Sequence, residues 1–271
     1  MQILRRICAK IERNSIPGVT WIRTLYFNFR LLPFKQAVKL PVFIYGKPVF
    51  NSLSGRIIFT CPIKRGMVKM NIVKPFAPSL QTINSQMNIC GTIVFGGNAM
   101  IGCGTKILVT QNAILELGDS VRITDFCNID CCKHIVVNDG TSIAHRCQIM
   151  DSNHHYVLDT NSNRIAINSQ PIHIGRQCWV CNSSTLTSGA KLPDYTIVSS
   201  NSLVNKNFIP EGENIIIGGM PAKLIKKGAF RIFDDDVEIM LNEYFGQSEE
   251  KFYMVEPGSF DQYRKLKRSE M

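Results

Sequence analysis

The sequence has little of what would make a membrane-spanning, exported or disordered chain. No run of about 18 apolar residues occurs, so a spanning helix is not expected. Met1 to Lys10 carries Arg5 and Arg6 inside its apolar stretch. No long apolar segment leads to a small-residue cleavage site, so no secretory signal is expected. Charged residues make up only 19%, but 45% of the 271 residues are hydrophobic, with 15 Phe and 7 Tyr. That composition excludes disorder. Paired C-x-x-C sets with zinc spacing are absent. The ten cysteines include the adjacent Cys131 and Cys132, which suit neither a disulfide framework nor a structural metal site. The thiols therefore read as reduced, and the protein as cytoplasmic.

Acids are scarce at the start. Residues 1–40 hold eight cations against one acid, Glu12, and so carry most of the net charge of +10. Ile3, Leu4, Ile7, Cys8 and Ile11 fall on one helical face. A second apolar and basic stretch runs from Thr20 to about Val38, after the Pro17-Gly18 break. Residues 1–39 therefore read as a basic amphipathic helical segment. Such a segment suits an anionic membrane surface or nucleic acid; the expected partner is the inner face of a membrane, not nucleic acid. The plainer alternative is a solvated helical face.

From Leu40 the texture changes to short β-branched runs, and a six-residue period appears. Phe95, Ile101 and Ile107 form one train; Leu117, Ile123 and Ile129 a second; Val137, Ile143 and Ile149 a third. Ile174, Val180, Leu186, Leu192, Val198 and Val204 form a fourth. A mostly small residue follows four places later, including Thr105, Cys127, Thr141, Cys147, Cys178, Ser184, Ala190, Thr196 and Ser202. Six residues fit one short strand and one tight turn, and three such units close a triangular coil. Anchors then point inward and stack on the coil below, while the small residue fills the narrow corner. Cys127, Cys147 and Cys178 become corner fillers rather than reactive thiols.

The resets between trains locate insertions. Val137 to Ile174 spans about 19 residues more than one coil, and the excess lies in the polar segment 151–171. It should protrude as a loop, a common place for function. Asn71–Met87 reads as a second excursion. The repeat ends near Ile209-Pro210, Asp234 looks like a helix cap, and the residues from Phe260 read as a loose tail.

These features resemble the hexapeptide-repeat acyltransferases, the left-handed parallel β-helix family. Residues 90–227 carry the resemblance well and residues 40–89 loosely. Its most specific parts are Ile174-Gly175, Trp179-Val180-Cys181-Asn182 and Gly219-x-Pro221-Ala222-Lys223. Within the family the chain is similar to maltose/galactoside O-acetyltransferases and to surface-polysaccharide O-acetyltransferases. The expected fold is thus all-β, a left-handed parallel β-helix over residues 40–217, with an N-terminal helical segment. A C-terminal extension over 218–271 carries a helix. Cys181 stands where the family usually has Gly, and Ser199-Ser200-Asn201-Ser202 replaces Gly-Ala-Gly-Ser.

The resemblance implies an acetyl-CoA-dependent O-acetyltransferase acting on a sugar or glycan. A sugar hydroxyl is too weak an acid to react unaided, and imidazole is the natural base near neutral pH. His154, at the mouth of the loop, occupies the family's catalytic slot, with His155 as runner-up and Asp151 to orient the ring. Asp125, Asn128 and Asp130, in the coil below, are candidate sugar contacts. The resemblance assigns coenzyme A to Trp179, Asn182, Ser200, Lys206, Lys223 and Lys226, the lysines suiting phosphate. It also implies a homotrimer with active sites between subunits. His134 and His145 read as surface or intersubunit residues and His173 as structural. Competing readings are an N-acyltransferase on an amino sugar and a zinc carbonic anhydrase using His145, His154 and His155 or His173. A silent scaffold is the third.

Overall fold

A computed structural model describes residue 16 and residues 18–73 and 84–267. The helical face expected at Ile3–Ile11 and part of the 71–87 excursion lie outside the described residues. The six-residue period becomes a parallel β-helix with three faces. Face 1 has nine strands and includes Val121–Ile123, Ser142–Ile143 and Trp179–Val180. Face 2 has seven, including Asn128–Cys131, Gln148–Met150 and Thr185–Leu186. Face 3 has six, including His134–Val137, Ile172–Ile174 and Lys191–Leu192.

The anchors stack in three columns. On face 1, Ile101, Ile123, Ile143, Val180 and Val198 are in register. On face 2 the column is Ile107, Ile129, Ile149, Leu186 and Val204. On face 3 it is Phe95, Leu117, Val137, Ile174 and Leu192. Every one of these side chains is at most 2% exposed. Each such aliphatic burial is worth roughly 1.5–3 kcal/mol, so the columns are the main source of cohesion.

The small residues lie inside as expected. Thr141 Oγ1 donates to the Gly175 carbonyl at 2.8 Å and Ser184 Oγ to the Ser199 carbonyl at 2.9 Å. The thiols do the same more weakly. Cys127, Cys147 and Cys178 lie 3.1, 3.1 and 3.2 Å from the carbonyls of Ala144, Cys181 and Pro193. The edge between faces 1 and 2 turns through one left-handed residue per coil, such as Phe126, Arg146, Ser183 and Asn201, with φ between 57° and 60°. At the same place Gly104 (φ 67°) leaves room for the Phe126 ring, which a Cβ would meet at 2.4 Å.

Both ends are closed. Helix α1 (Trp21–Leu31) leads to a short α2 (Phe34–Ala37) and packs on the first strand, Val42–Ile44. Asn28 Nδ2 donates to the Val42 carbonyl, Asn28 Oδ1 accepts from Val42 N–H, and Thr24 Oγ1 accepts from Ile44 N–H. These side chains occupy groups that an open strand edge would leave unpaired. At the other end, after Ile215–Gly218, the chain reverses through Gly219–Pro221. The strand Lys223–Lys227 then runs antiparallel to Ile215–Gly218. Among the described residues no helix is long and apolar enough to cross a membrane.

Asp234 caps α3 (Asp235–Gln247), accepting from the N–H groups of Asp236 and Val237. The tail beyond Phe260 is not loose as far as Lys267. Leu266–Lys267 pairs with Phe233–Asp234. The Arg264 guanidinium lies 5.1 Å over the Tyr195 ring and donates to Asn214. Long cationic stems cover apolar surface while their heads stay polar, which a charge count alone does not show.

Burial also ranks the thiols. It pushes the Cys178 thiol up to about 12, and the Cys103 and Cys181 thiols up to about 11. Hydrogen bonds with Ser52 and Ser54 hold the Cys90 thiol below its ordinary value. A thiol reagent at pH 8 should therefore label Cys90 first among the described cysteines. Peptide mapping should find Cys127, Cys147 and Cys178 modified only on unfolding.

Candidate active site

The long insertion leaves the edge between faces 2 and 3 after Met150 and returns at Ile172. Its base is stapled by a bridge between Ser152 and Ser169 and by a 2.8 Å bond from Asn153 N–H to the Asn168 carbonyl. Its tip is a short hairpin, Leu158–Asp159 with Arg164–Ile165. Asp159 holds the turn by accepting from the N–H groups of Asn161 and Ser162 and from the Ser162 hydroxyl. The same bonds lower the Asp159 pKa.

His154 stands at the foot of this loop in a left-handed backbone conformation, φ 58°. Its N–H donates to Ser152 Oγ at 3.0 Å. Its Nε2 lies 2.6 Å from Asp130 Oδ2. The imidazole is 43% exposed and the Asp130 side chain 13%. An Nε2–H donated to this carboxylate fixes the tautomer that leaves a lone pair on Nδ1.

The partner is thus Asp130, and the expectation for Asp151 is corrected. Asp151 is fully buried and accepts from three successive N–H groups: Cys132 at 2.7 Å, Lys133 at 2.9 Å and His134 at 2.7 Å. It pins the corner beneath the loop instead of reaching His154. Strand alternation explains this. Ile149 and Ile129 point inward, so Asp130 points outward, and Asp151 falls in the inward series with Cys131. Alternation counted from the anchor would have revealed it.

The other candidates separate. Asn128 sits two residues before Asp130 on the same outward side of face 2. Asp125 lies instead on the edge between faces 1 and 2, nearly buried, and accepts from Cys103 N–H at 3.1 Å. Asn182 and Ser200 stack on that same edge, 2.8 Å apart. Trp179 lies on face 1 with the Arg231 guanidinium 4.6 Å from its ring centroid. Lys223 and Lys226 are exposed on the final antiparallel strand. Lys206, 5.0 Å over Phe208, shares the edge that bears His154. A single chain therefore does not gather these six residues around His154.

The remaining histidines do not converge either. His155 is exposed in the loop, and His145 lies on the edge between faces 1 and 2. His134 pairs with Glu116 on face 3 at 2.6 Å. His173 is half-buried beside Asn138, and burial lowers its pKa. Within one chain the proposed three-histidine zinc set is not assembled. Asp130, Cys132 and His154 do place ligand-type atoms within 4.8 Å of one another. Sequence reasoning missed Cys132 here; its outward place beside the loop was the available signal. Burial and the Asp130 carboxylate push its thiol up to about 11.

The chain is 28% identical over 145 residues to WbbJ of Escherichia coli K12, covering 51% of this chain and 72% of that one. WbbJ is assigned to lipopolysaccharide biosynthesis as an O-acetyl transferase. The chain is thus similar to acetyltransferases of surface-polysaccharide synthesis. A second relative of this acyltransferase is WcaF of the same organism, assigned to colanic acid biosynthesis as an acetyltransferase. It is 29% identical over 132 residues, covering 49% of this chain and 68% of that one. The solved structure of the polySia-specific acetyltransferase NeuO covers 76% of this chain and 98% of its own, at 14% identity and a TM-score of 0.44. No family model matches the chain.

The two acids should respond to truncation to different degrees. Asp151→Ala strands three buried N–H groups and should cost about 3 kcal/mol or more. Asp130→Ala, which faces outward and loses one partly exposed ion pair, should stay within about 1 kcal/mol of the parent. Urea unfolding followed by circular dichroism would compare them.

Proposed function

We infer that this acyltransferase moves an acetyl group from acetyl-CoA to a sugar hydroxyl in surface-polysaccharide synthesis. The single observation carrying the reading is the His154–Asp130 pair at the foot of the loop. The relatives' assigned roles supply the substrate class.

The His154 lone pair takes the hydroxyl proton as the oxygen attacks the thioester carbonyl. Asp130 holds the ring and stabilises the imidazolium that forms. The tetrahedral intermediate then expels the coenzyme A thiolate, and the imidazolium returns the proton to that sulfur. No protein nucleophile is required, so transfer is direct within a ternary complex. The exposed placement of His154 leaves Nδ1 open to the acceptor.

Coenzyme A is the acyl carrier, and the residues proposed for it belong to more than one chain. In a homotrimer, His154 and loop 151–171 of one subunit face a neighbour's wall. Asn182 and Ser200 would contribute polar contacts there, and Lys206, Lys223 and Lys226 phosphate charge. Trp179 is the weakest member of that set, because Arg231 already covers one side of its ring. Asn128 remains the candidate sugar contact beside the pair; Asp125, engaged in its own turn, is withdrawn from that role. The exposed side chains of Tyr156, Val157, Leu158, Ile165 and Ile167 give the loop an apolar surface to set against that neighbour.

His154→Ala should lower kcat by roughly 10²–10⁴-fold, with KM for acetyl-CoA little changed. Asp130→Asn should reduce kcat by a smaller factor, since it spares the base but loses the orienting charge. Steady-state assays with acetyl-CoA and a panel of sugars measure both. Undiminished turnover in His154→Ala would place the base elsewhere.

A further inference from the structure

The chain is polarised along the prism axis. Between Glu12 and Glu116 there is no Asp or Glu, while residues 13–115 contain twelve Lys and Arg. Residues 116–271 hold twenty of the 21 acids against sixteen cations. The acid-free stretch builds the starting end of the prism, where α1 lies.

That helix has two apolar sides. Thr24, Phe27, Asn28 and Leu31 face the prism and are buried. Ile22, Leu25, Tyr26 and Phe29 recur at the same helical spacing on the outer side and are exposed. Phe34 and Val38 continue this surface, and the Phe29 and Phe34 rings sit 5.8 Å apart. Ile22 is 83% exposed and Phe34 73%. Arg30, Lys35, Lys39 and Lys47, all exposed, surround them. Aromatic and aliphatic residues between cations, with no acid, are the composition of a surface that enters an anionic lipid interface.

We propose that this end of the prism docks on an anionic bilayer. Ile22, Phe29 and Phe34 enter the headgroup boundary, and Arg30, Lys35 and Lys39 meet lipid phosphates. The absence of acids favours a sheet of negative headgroups over a protein partner, whose recognition would use charges of both signs.

The fold then sets a height for the chemistry. On face 2, Asp130 lies three strands and the strand leading to His154 four strands above Val49–Leu53. At about 4.8 Å per step, the pair stands roughly 14–19 Å along the axis from that first strand. Resting on His154 as the base, this makes the acceptor a glycan still joined to its lipid, with the modified sugar close to the bilayer.

Flotation of the full-length protein with phosphatidylglycerol–phosphatidylcholine vesicles and with pure phosphatidylcholine vesicles tests the docking directly. Binding should occur only with the anionic vesicles and weaken in high salt. Arg30→Glu with Lys35→Glu and Lys39→Glu should reduce it about 100-fold, taking about fivefold per cation at the surface. Phe29→Ser with Phe34→Ser should reduce it about tenfold or more. Both variants should retain turnover of a soluble sugar and lose turnover of a lipid-linked one. No vesicle binding, equal binding to neutral vesicles, or binding unaffected by both variants would overturn the proposal. Light scattering that shows the Phe variant breaking an oligomer without altering flotation would assign the surface to a second copy. Binding that appears only after removal of residues 1–15 would assign it to the chain's own start. His154→Ala should bind vesicles as the parent does, so loss of the base and loss of docking are separate results.

Discussion

The molecule depends on the coil-to-coil ladder that holds each inward anchor above the one before it. Hydrogen bonds run parallel to the prism axis and keep every rung in register. A rung has no core of its own; it buries its three anchors only because neighbours close over them. Register therefore has to survive at every corner. The buried hydroxyls and thiols meet this need by donating to carbonyls of the coil or its neighbour. Cysteine and serine are interchangeable at such a slot because both are small and both offer a donor. This explains Cys127, Cys147 and Cys178 as packing residues.

The same constraint creates the site. A rung interior cannot accept extra residues, but a corner can, provided the strands on either side keep their phase. The 151–171 insertion leaves at one corner, and the buried Asp151 carboxylate gathers the three N–H groups of the turn below it. Residues just outside that corner inherit fixed directions. Asp130 is outward because Ile129 is inward, and it is adjacent because its strand pairs with Gln148–Met150. His154 needs only a left-handed residue and the Ser152 contact to turn onto it. The proposed catalytic pair is thus assembled from one rigid strand and the first turn of one loop. The rigid strand carries the orienter, which suits a group whose task is positioning.

What could be read from the residues follows what repeats. The six-residue period was visible because every rung restates it, and so were the columns, the corner fillers and the position of the loop. His154 was legible as the histidine at the loop mouth. Its partner was misread because Asp151 is nearer along the chain, whereas the fold measures distance across rungs. The tail was misread for a related reason. Its contacts are single events, such as Arg264 on Tyr195 and Leu266 beside Phe233, and no period announces them. The coenzyme A residues assigned by resemblance scatter over two edges and a face, so no shared position on the coil announces them.

The ends impose the last requirement, and they are solved with different chemistry. A parallel stack must stop, and a bare terminal strand would recruit another. At the far end the chain folds an antiparallel strand rich in lysine, Lys223–Lys227, along the edge of Ile215–Gly218. Lysines on an edge discourage further pairing while keeping it soluble. At the near end a helix supplies Asn28 and Thr24 in place of a strand's backbone. A helix can do this with one side only, so its other side was free to take any character. Polar residues would have sufficed to end the stack. Ile22, Leu25, Tyr26 and Phe29 stand there instead, at a cost in exposed apolar surface that capping does not explain. The cost becomes intelligible when that side has a solvent of its own. An acid-free stretch of about a hundred residues suits the negatively charged one proposed here.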